Sequence, residues 1–70
     1  MSNLDKTGSK LKNLRKKYGY TLDKLSELTG ITVSSLSYYE SGKRNPSDEN
    51  KCLIARVYQK KVGEIFFNEK

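Results

Sequence analysis

The sequence contains no histidine and no tryptophan, and it has one cysteine, Cys52, and one proline, Pro46. Without histidine the chain lacks the usual imidazole metal ligand and general base. A lone cysteine cannot form an intramolecular disulfide, and without a histidine partner it offers neither a zinc site nor an activated thiol. We therefore expect no cofactor and no metal, and we expect Cys52 to be a small buried hydrophobic residue.

Long apolar runs are also missing. No stretch approaches the roughly 20 apolar residues that cross a bilayer, and residues 1–8 lack the apolar segment of a secretory signal. We therefore expect a cytoplasmic protein without membrane contact. A chain of 70 residues has room for one domain, and a buried ligand cleft is hard to fit into so small a core, so we expect no small-molecule ligand.

Basic residues outnumber acidic ones, 14 to 8, which gives a net charge of +6. This balance favours an anionic partner such as nucleic acid, although it is also ordinary for a soluble small domain. A group of lysines near the start has two interpretations, a DNA-steering arm or a solvated helix face. These are Lys6, Lys10, Lys12, Lys16 and Lys17.

Apolar residues recur at helical spacing, and no stretch alternates as a strand does. The spacing predicts helices over residues 9–17, 22–29, 33–41, 48–60 and 63–67. Glycines follow the first three segments, and Thr21, Thr32 and Ser47 are placed to cap the second, third and fourth. The predicted fold class is all-α, a bundle of four to five short helices over residues 9–67, with a flexible arm at 1–8 and a tail at 68–70.

Residues 21–40 contain the most informative pattern. Two helices of about eight residues are joined by a short turn that contains Gly30, as a helix-turn-helix requires. Gly30 accepts a left-handed conformation without a Cβ penalty, and Ser26 is small enough to let the helices approach. The core between them is predicted to contain Leu25, Ile31, Leu36 and Tyr39. Helical spacing from Leu36 leaves Tyr38 exposed.

The segments LKNLRKKYGYTLDKLSELTGIT, SSLSYYESGKRNPS and EIFF resemble the Cro/Xre family of phage repressors and small bacterial regulators. The similarity covers about residues 9–67, and YESGKRNPS is its most specific part. The resemblance implies a recognition helix over residues 32–41 that enters the major groove of double-stranded DNA. It also implies that a buried salt bridge joins Arg15 to Glu40.

Two sets of DNA contacts follow from the resemblance. The residues expected to face base edges are Val33, Ser34, Ser37 and Tyr38. The residues expected to bind phosphates are Thr21, Thr32, Lys43, Arg44 and Asn45.

Four positions depart from the family pattern. Leu22 stands where the family often has a phosphate-binding glutamine, so no side-chain contact is expected there. Val33 can offer only apolar contact, most naturally to a thymine methyl group. Asp48 and Lys51 are polar where the family is often apolar.

An apolar group near the C-terminus has two interpretations, monomer core or dimer interface. It consists of Leu53, Val57, Phe66 and Phe67. The favoured function is a homodimeric transcriptional regulator, a repressor on a near-palindromic operator. The alternative is a protein-interaction adaptor that keeps the fold but does not read DNA. An enzyme is not expected, because the acidic pair Asp23 and Glu27 is better explained as a solvated helix face.

Overall fold

Helix-capping side chains and left-handed glycines divide the chain as the sequence predicts. The computed structural model describes residues 3–67, and side chains from residue 6 onward. Within that range the helices are α1 (Asn3–Lys17), α2 (Leu22–Thr29), α3 (Val33–Ser41), α4 (Asp48–Val57) and α5 (Val62–Phe66). The predicted all-α fold class is confirmed. The predicted tail at 68–70 and the first two residues of the predicted arm lie outside the described residues.

The predicted caps form hydrogen bonds at three helix N-termini. Thr21 Oγ1 accepts from the Lys24 N–H (3.0 Å), Thr32 Oγ1 from the Ser35 N–H (3.1 Å), and the Ser47 hydroxyl from the Asn50 N–H (3.2 Å). Each bond satisfies a backbone donor that has no partner inside its helix.

Some predicted boundaries were wrong. Helix α1 begins at Asn3, so residues 3–8 are helical rather than an arm. The prediction relied on the apolar stripe that begins at Leu11, and no aliphatic or aromatic residue occurs between residues 5 and 10 to extend it. Helix α4 ends at Val57 and not at residue 60, because Gln59 adopts a positive φ of 54°. Helix α5 runs from Val62 to Phe66.

The core is formed by apolar side chains from every helix. Its buried members are Leu11, Leu25, Ile31, Leu36, Tyr39, Ile54, Ala55, Tyr58 and Ile65. All four residues predicted between α2 and α3 belong to this set. Three tyrosines also meet at one end, where the ring of Tyr58 lies 5.0 Å from that of Tyr18 and 6.2 Å from that of Tyr20. The hydroxyl of Tyr58 is buried and has no hydrogen-bond partner among the described residues.

Helix α1 packs closely on α3 at Gly8. A Cβ at this position would lie 2.5 Å from the Glu40 carbonyl oxygen and 2.9 Å from that of Tyr39. Only hydrogen fits against that backbone, so Gly8 determines how near the two helices lie. This contact was not predicted from the sequence, because a glycine among lysines and serines is typical of a loop.

Two residues of α4 differ from what the sequence suggests. Cys52 is exposed, so the prediction of a buried hydrophobic residue was wrong. Lys51 is buried instead. Its ammonium group lies 5.8 Å from the Phe66 ring and 5.1 Å from the Phe67 ring, within the range of cation–π attraction. The long methylene chain of Lys51 fills the place that an apolar side chain would take.

Candidate DNA-binding surface

The turn between α2 and α3 is held by a set of local hydrogen bonds. Gly30 adopts φ +79° and donates its N–H to the Ser26 carbonyl (2.8 Å). The Ser26 hydroxyl donates to the Ile31 carbonyl, and the Thr29 hydroxyl accepts from the Ile31 N–H (3.1 Å) while donating to the Leu25 carbonyl (2.8 Å). These bonds fix the angle at which α3 leaves α2.

Helix α3 has a buried side and an exposed side. Leu36 and Tyr39 face the core, and the Tyr39 hydroxyl accepts a hydrogen bond from Asn50 Nδ2 (2.9 Å). The four residues predicted to face base edges are all exposed, Val33 at 37% and Tyr38 at 41%. The structure therefore brings Val33, Ser34, Ser37 and Tyr38 together on a surface that the rest of the described chain leaves open.

The segment that follows α3 places two cations beside that surface. The backbone N–H groups of Lys43 and Arg44 both donate to the Tyr38 carbonyl, at 3.0 and 3.4 Å. Their charged groups lie 6.0 Å (Lys43 Nζ) and 5.6 Å (Arg44 Cζ) from the centre of the Tyr38 ring. Asn45 is also exposed. This proximity was not predicted, because it depends on the turn at the left-handed Gly42 (φ +79°) that follows α3.

Thr21 and Thr32 are exposed at the N-termini of α2 and α3. The hydroxyl of Thr32 accepts from the Ser35 N–H and donates to the Ser35 hydroxyl (3.0 Å). The first N–H groups of any helix lack an acceptor within the helix and lie at the positive end of its dipole. This is an arrangement that accepts an anion.

Arg15 and Glu40 form a two-pronged ion pair between α1 and α3. Arg15 Nε lies 2.7 Å from Glu40 Oε2, and Arg15 Nη2 lies 3.1 Å from Glu40 Oε1. Arg15 Nη1 also donates to the Tyr20 carbonyl (2.9 Å). The hydrogen bond to Glu40 raises the pKa of the Arg15 guanidinium above its usual value. Glu40 is the only acidic residue of α3, so this pairing leaves no free negative charge on the helix.

Leu22, the departure from the family's glutamine, is half-buried and packs against the core. Its side chain therefore belongs to the scaffold. The remaining N-terminal part of α2 presents Asp23 and Lys24, both exposed.

Three members of the apolar group near the C-terminus, Leu53, Val57 and Phe66, pack partly against the core. Phe67 is 51% exposed. The group therefore contributes to the monomer and still leaves apolar surface uncovered.

The described part of the chain has neither a cluster of metal-ligating residues nor a membrane-spanning helix. No group of three or more cysteine and acidic residues there could hold a metal ion. None of the helices between residues 3 and 67 is long and apolar enough to cross a membrane.

A short tight turn, an outward-facing second helix and flanking cations define a helix-turn-helix DNA-binding domain. Comparison with known proteins agrees. The family model described as helix-turn-helix matches residues 11–65. The chain therefore belongs to the helix-turn-helix family, as a DNA-binding regulator of the Cro/Xre type.

Several relatives span most of the chain. A protein of Archaeoglobus fulgidus named an HTH-type transcriptional regulator is 31% identical over 83% of this chain and 83% of its own length. The HTH-type transcriptional regulator AnsR of Bacillus subtilis is 37% identical over 97% of this chain and 55% of its own. The regulator YgzD of the same organism is 31% identical over 87% of this chain and 92% of its own. No solved structure matches.

Proposed function

We propose that this protein is a transcriptional repressor that binds a near-palindromic operator as a homodimer. Helix α3 enters the major groove with its N-terminal half. The observation that carries the proposal is the open surface of α3, which has Lys43 and Arg44 beside it and Glu40 neutralised behind it. The relatives named as transcriptional regulators support the regulatory role.

The exposed side chains of α3 divide the reading of bases by their chemistry. Val33 offers apolar contact to a thymine methyl group, while the hydroxyls of Ser34 and Ser37 donate to or accept from base edges. Tyr38 adds an aromatic face and a hydroxyl. Because this set is poor in the bidentate contacts that Arg, Asn or Gln make, DNA shape supplies part of the discrimination.

The phosphate contacts come from two directions. The first turns of α2 and α3, at Thr21 and Thr32, present backbone N–H groups to one strand. Lys43, Arg44 and Asn45 hold the backbone beyond the end of α3. The charged groups of Lys43 and Arg44 lie within 6.0 Å of the Tyr38 ring centre, and cation–π attraction to this ring holds them beside α3.

Dimerisation places two copies of α3 on successive turns of the same groove. Half-sites then lie roughly 34 Å apart, one turn of DNA. The exposed Phe67 and the half-buried Leu53, Val57 and Phe66 supply the apolar contact between copies. Burying this surface also adds core to a domain that is small for independent stability.

The experiment begins with selection of bound duplexes from a random library at stated salt. The selected duplex is then titrated at several salt concentrations with the wild type and with Lys43→Ala, Arg44→Ala and Arg56→Ala. Arg56 is exposed on the last turn of α4 and serves as the matched control. We expect Lys43→Ala and Arg44→Ala each to weaken binding to all sequences and to reduce the slope of log K against log salt by about 0.9.

Three kinds of outcome would contradict different parts of the proposal. A changed sequence preference with unchanged affinity would show that Lys43 or Arg44 reads bases rather than phosphates. A selected site without symmetry would contradict the homodimer. No binding to any duplex, or binding with no salt dependence, would favour the alternative function, a protein-interaction adaptor.

A further inference from the structure

We infer that a groove between α1 and α5 binds an acidic, amphipathic segment of a partner protein. The groove has a volume of about 540 Å³. Four lysines line it, Lys6, Lys10, Lys17 and Lys60, around an apolar surface that includes Leu14. This inference goes beyond DNA binding and does not depend on it.

The groove lies on the far side of α1 from the recognition helix. Gly8 contacts the backbone of α3, and Arg15 pairs with Glu40 of α3, so these residues mark the inner side of α1. Lys17 follows Gly8 by nine positions, and at about 100° per residue this rotation amounts to about two and a half turns. Lys17 therefore points directly away from α3, and Lys6 and Lys10 lie within about 20° of it.

The positive charge of the groove is not neutralised within the described chain. None of its four lysines has a carboxylate within 4.0 Å among the ion pairs of residues 6–67. Lys10 Nζ donates to the backbone carbonyl of Glu64. The carboxylate of Glu64, the one acidic side chain of the lining, accepts a hydrogen bond from the Lys61 N–H (3.0 Å). Within residues 6–67 these lysines therefore remain open to an external anion.

The shape and chemistry of the groove favour a peptide over a second DNA contact. The groove is concave and has an apolar surface at Leu14, which suits an inserted aliphatic side chain but adds nothing to a phosphate backbone. It contains no arginine, the residue best suited to bidentate phosphate recognition. The contact between copies proposed above uses the separate apolar group Leu53, Val57, Phe66 and Phe67, so a second copy is not assigned to this groove.

The probe is a synthetic helical peptide of about 14 residues, or about four turns, with glutamates on one side and leucines on the other. The same peptide with every glutamate replaced by glutamine is its control. Binding to the full chain is followed by fluorescence polarisation and by NMR shifts of backbone amides. We expect the acidic peptide to shift Ser9, Asn13 and Lys17 and to leave α3 unchanged, and the glutamine peptide to bind about tenfold more weakly.

Two variants with equal charge separate the groove from net charge. Lys6→Gln/Lys17→Gln changes the groove, and Lys12→Gln/Lys16→Gln changes exposed lysines elsewhere on α1. We expect the first pair to weaken peptide binding about three- to tenfold and the second to stay within about twofold. Ser9→Trp, at an exposed residue of the lining, should block the groove sterically at any salt concentration.

Several results would overturn the inference. Equal losses in the two double variants would mean that the peptide responds to net charge alone. Shifts confined to α3 and residues 43–45 would place the peptide on the DNA-binding surface. If Lys6→Gln/Lys17→Gln instead reduced the salt slope for the selected duplex by about 2, the groove would be part of the DNA interface. Failure to bind the peptide with normal duplex binding would refute this inference and leave the proposed function intact.

Discussion

Replacing Gly8 with alanine tests the contact that determines the spacing of α1 and α3. Two effects of opposite sign compete at this position. In an exposed helix the change from glycine to alanine stabilises by roughly 0.8–1 kcal/mol, because alanine loses less backbone entropy on folding. At Gly8 the new Cβ would lie 2.5 Å from the Glu40 carbonyl oxygen, far inside contact distance.

We expect the steric clash to outweigh the gain in helix propensity, because the atoms that the new Cβ would meet cannot rotate away. All three nearest atoms are backbone atoms of Glu40 and Tyr39, so relief requires α1 to move off α3. Overpacking of this kind costs typically 1–3 kcal/mol, and we expect the upper part of that range because the same movement strains the Arg15–Glu40 pair. Subtracting the propensity gain leaves a net loss of about 2 kcal/mol.

The assay is thermal and urea unfolding of wild type, Gly8→Ala and Ser9→Ala. A loss of about 2 kcal/mol corresponds to a decrease in Tm of about 8–16 °C in a domain of this size. Ser9 is the next residue of the same helix and is exposed, so Ser9→Ala should be neutral or slightly stabilising. A Tm for Gly8→Ala equal to or above that of the wild type would refute the close approach.

Two further predictions concern buried polar groups. Glu40→Gln should lower the free energy of unfolding by about 2–3 kcal/mol. This loss is toward the low end for a buried pair, because Arg15 and Glu40 keep 13% and 9% of their side-chain surface exposed. A double-mutant cycle with Arg15→Met measures the coupling energy of the pair, and additivity within about 0.5 kcal/mol would contradict that coupling. Burial, followed by the nearby Glu40 carboxylate, raises the pKa of Tyr58 to about 12 from 10.0. The neutral phenol is therefore favoured in the folded state. Its contribution to the free energy of unfolding is complete below pH 10 and is lost as the pH rises toward 12. Tyr58→Phe should remove this loss of stability at alkaline pH, and it should also remove the cost of burying a hydroxyl without a partner. Denaturant unfolding at pH 9 and pH 11 checks both effects. An equal loss of stability at pH 11 in the variant would show that another group titrates.

The helix-turn-helix was predictable because its signals are local. The hydrogen bonds of Thr21, Gly30 and Thr32 reach only a few positions along the chain. Thr21 and Thr32 cap their helices and Gly30 is left-handed, as predicted. The 3.6-residue period also separates Tyr39, which is buried, from Tyr38, which is exposed. Local chemistry and periodicity therefore determine both the turn and the side of α3 that faces outward.

The features that escaped prediction depend on contacts between distant parts of the chain. Gly8 is informative only once α3 lies against it, and Lys51 is buried only because α5 brings Phe66 and Phe67 over it. The start of α1 escaped for a related reason. Residues 5–10 contain no aliphatic or aromatic residue, so the apolar period is interrupted before Leu11.

The separation of buried from exposed positions explains why the outer side chains of α3 carry so little information about the fold. Leu36 and Tyr39 anchor α3 in the core, and Glu40 pairs with Arg15 of α1, so three inward contacts fix the rotation of α3 about its own axis. Once that rotation is fixed, the directions of Val33, Ser34 and the other outer side chains follow from helix geometry, whatever their identity. The fold therefore depends on the inner side of α3 and on the helix caps, and the outer side is free to vary without loss of the helix-turn-helix.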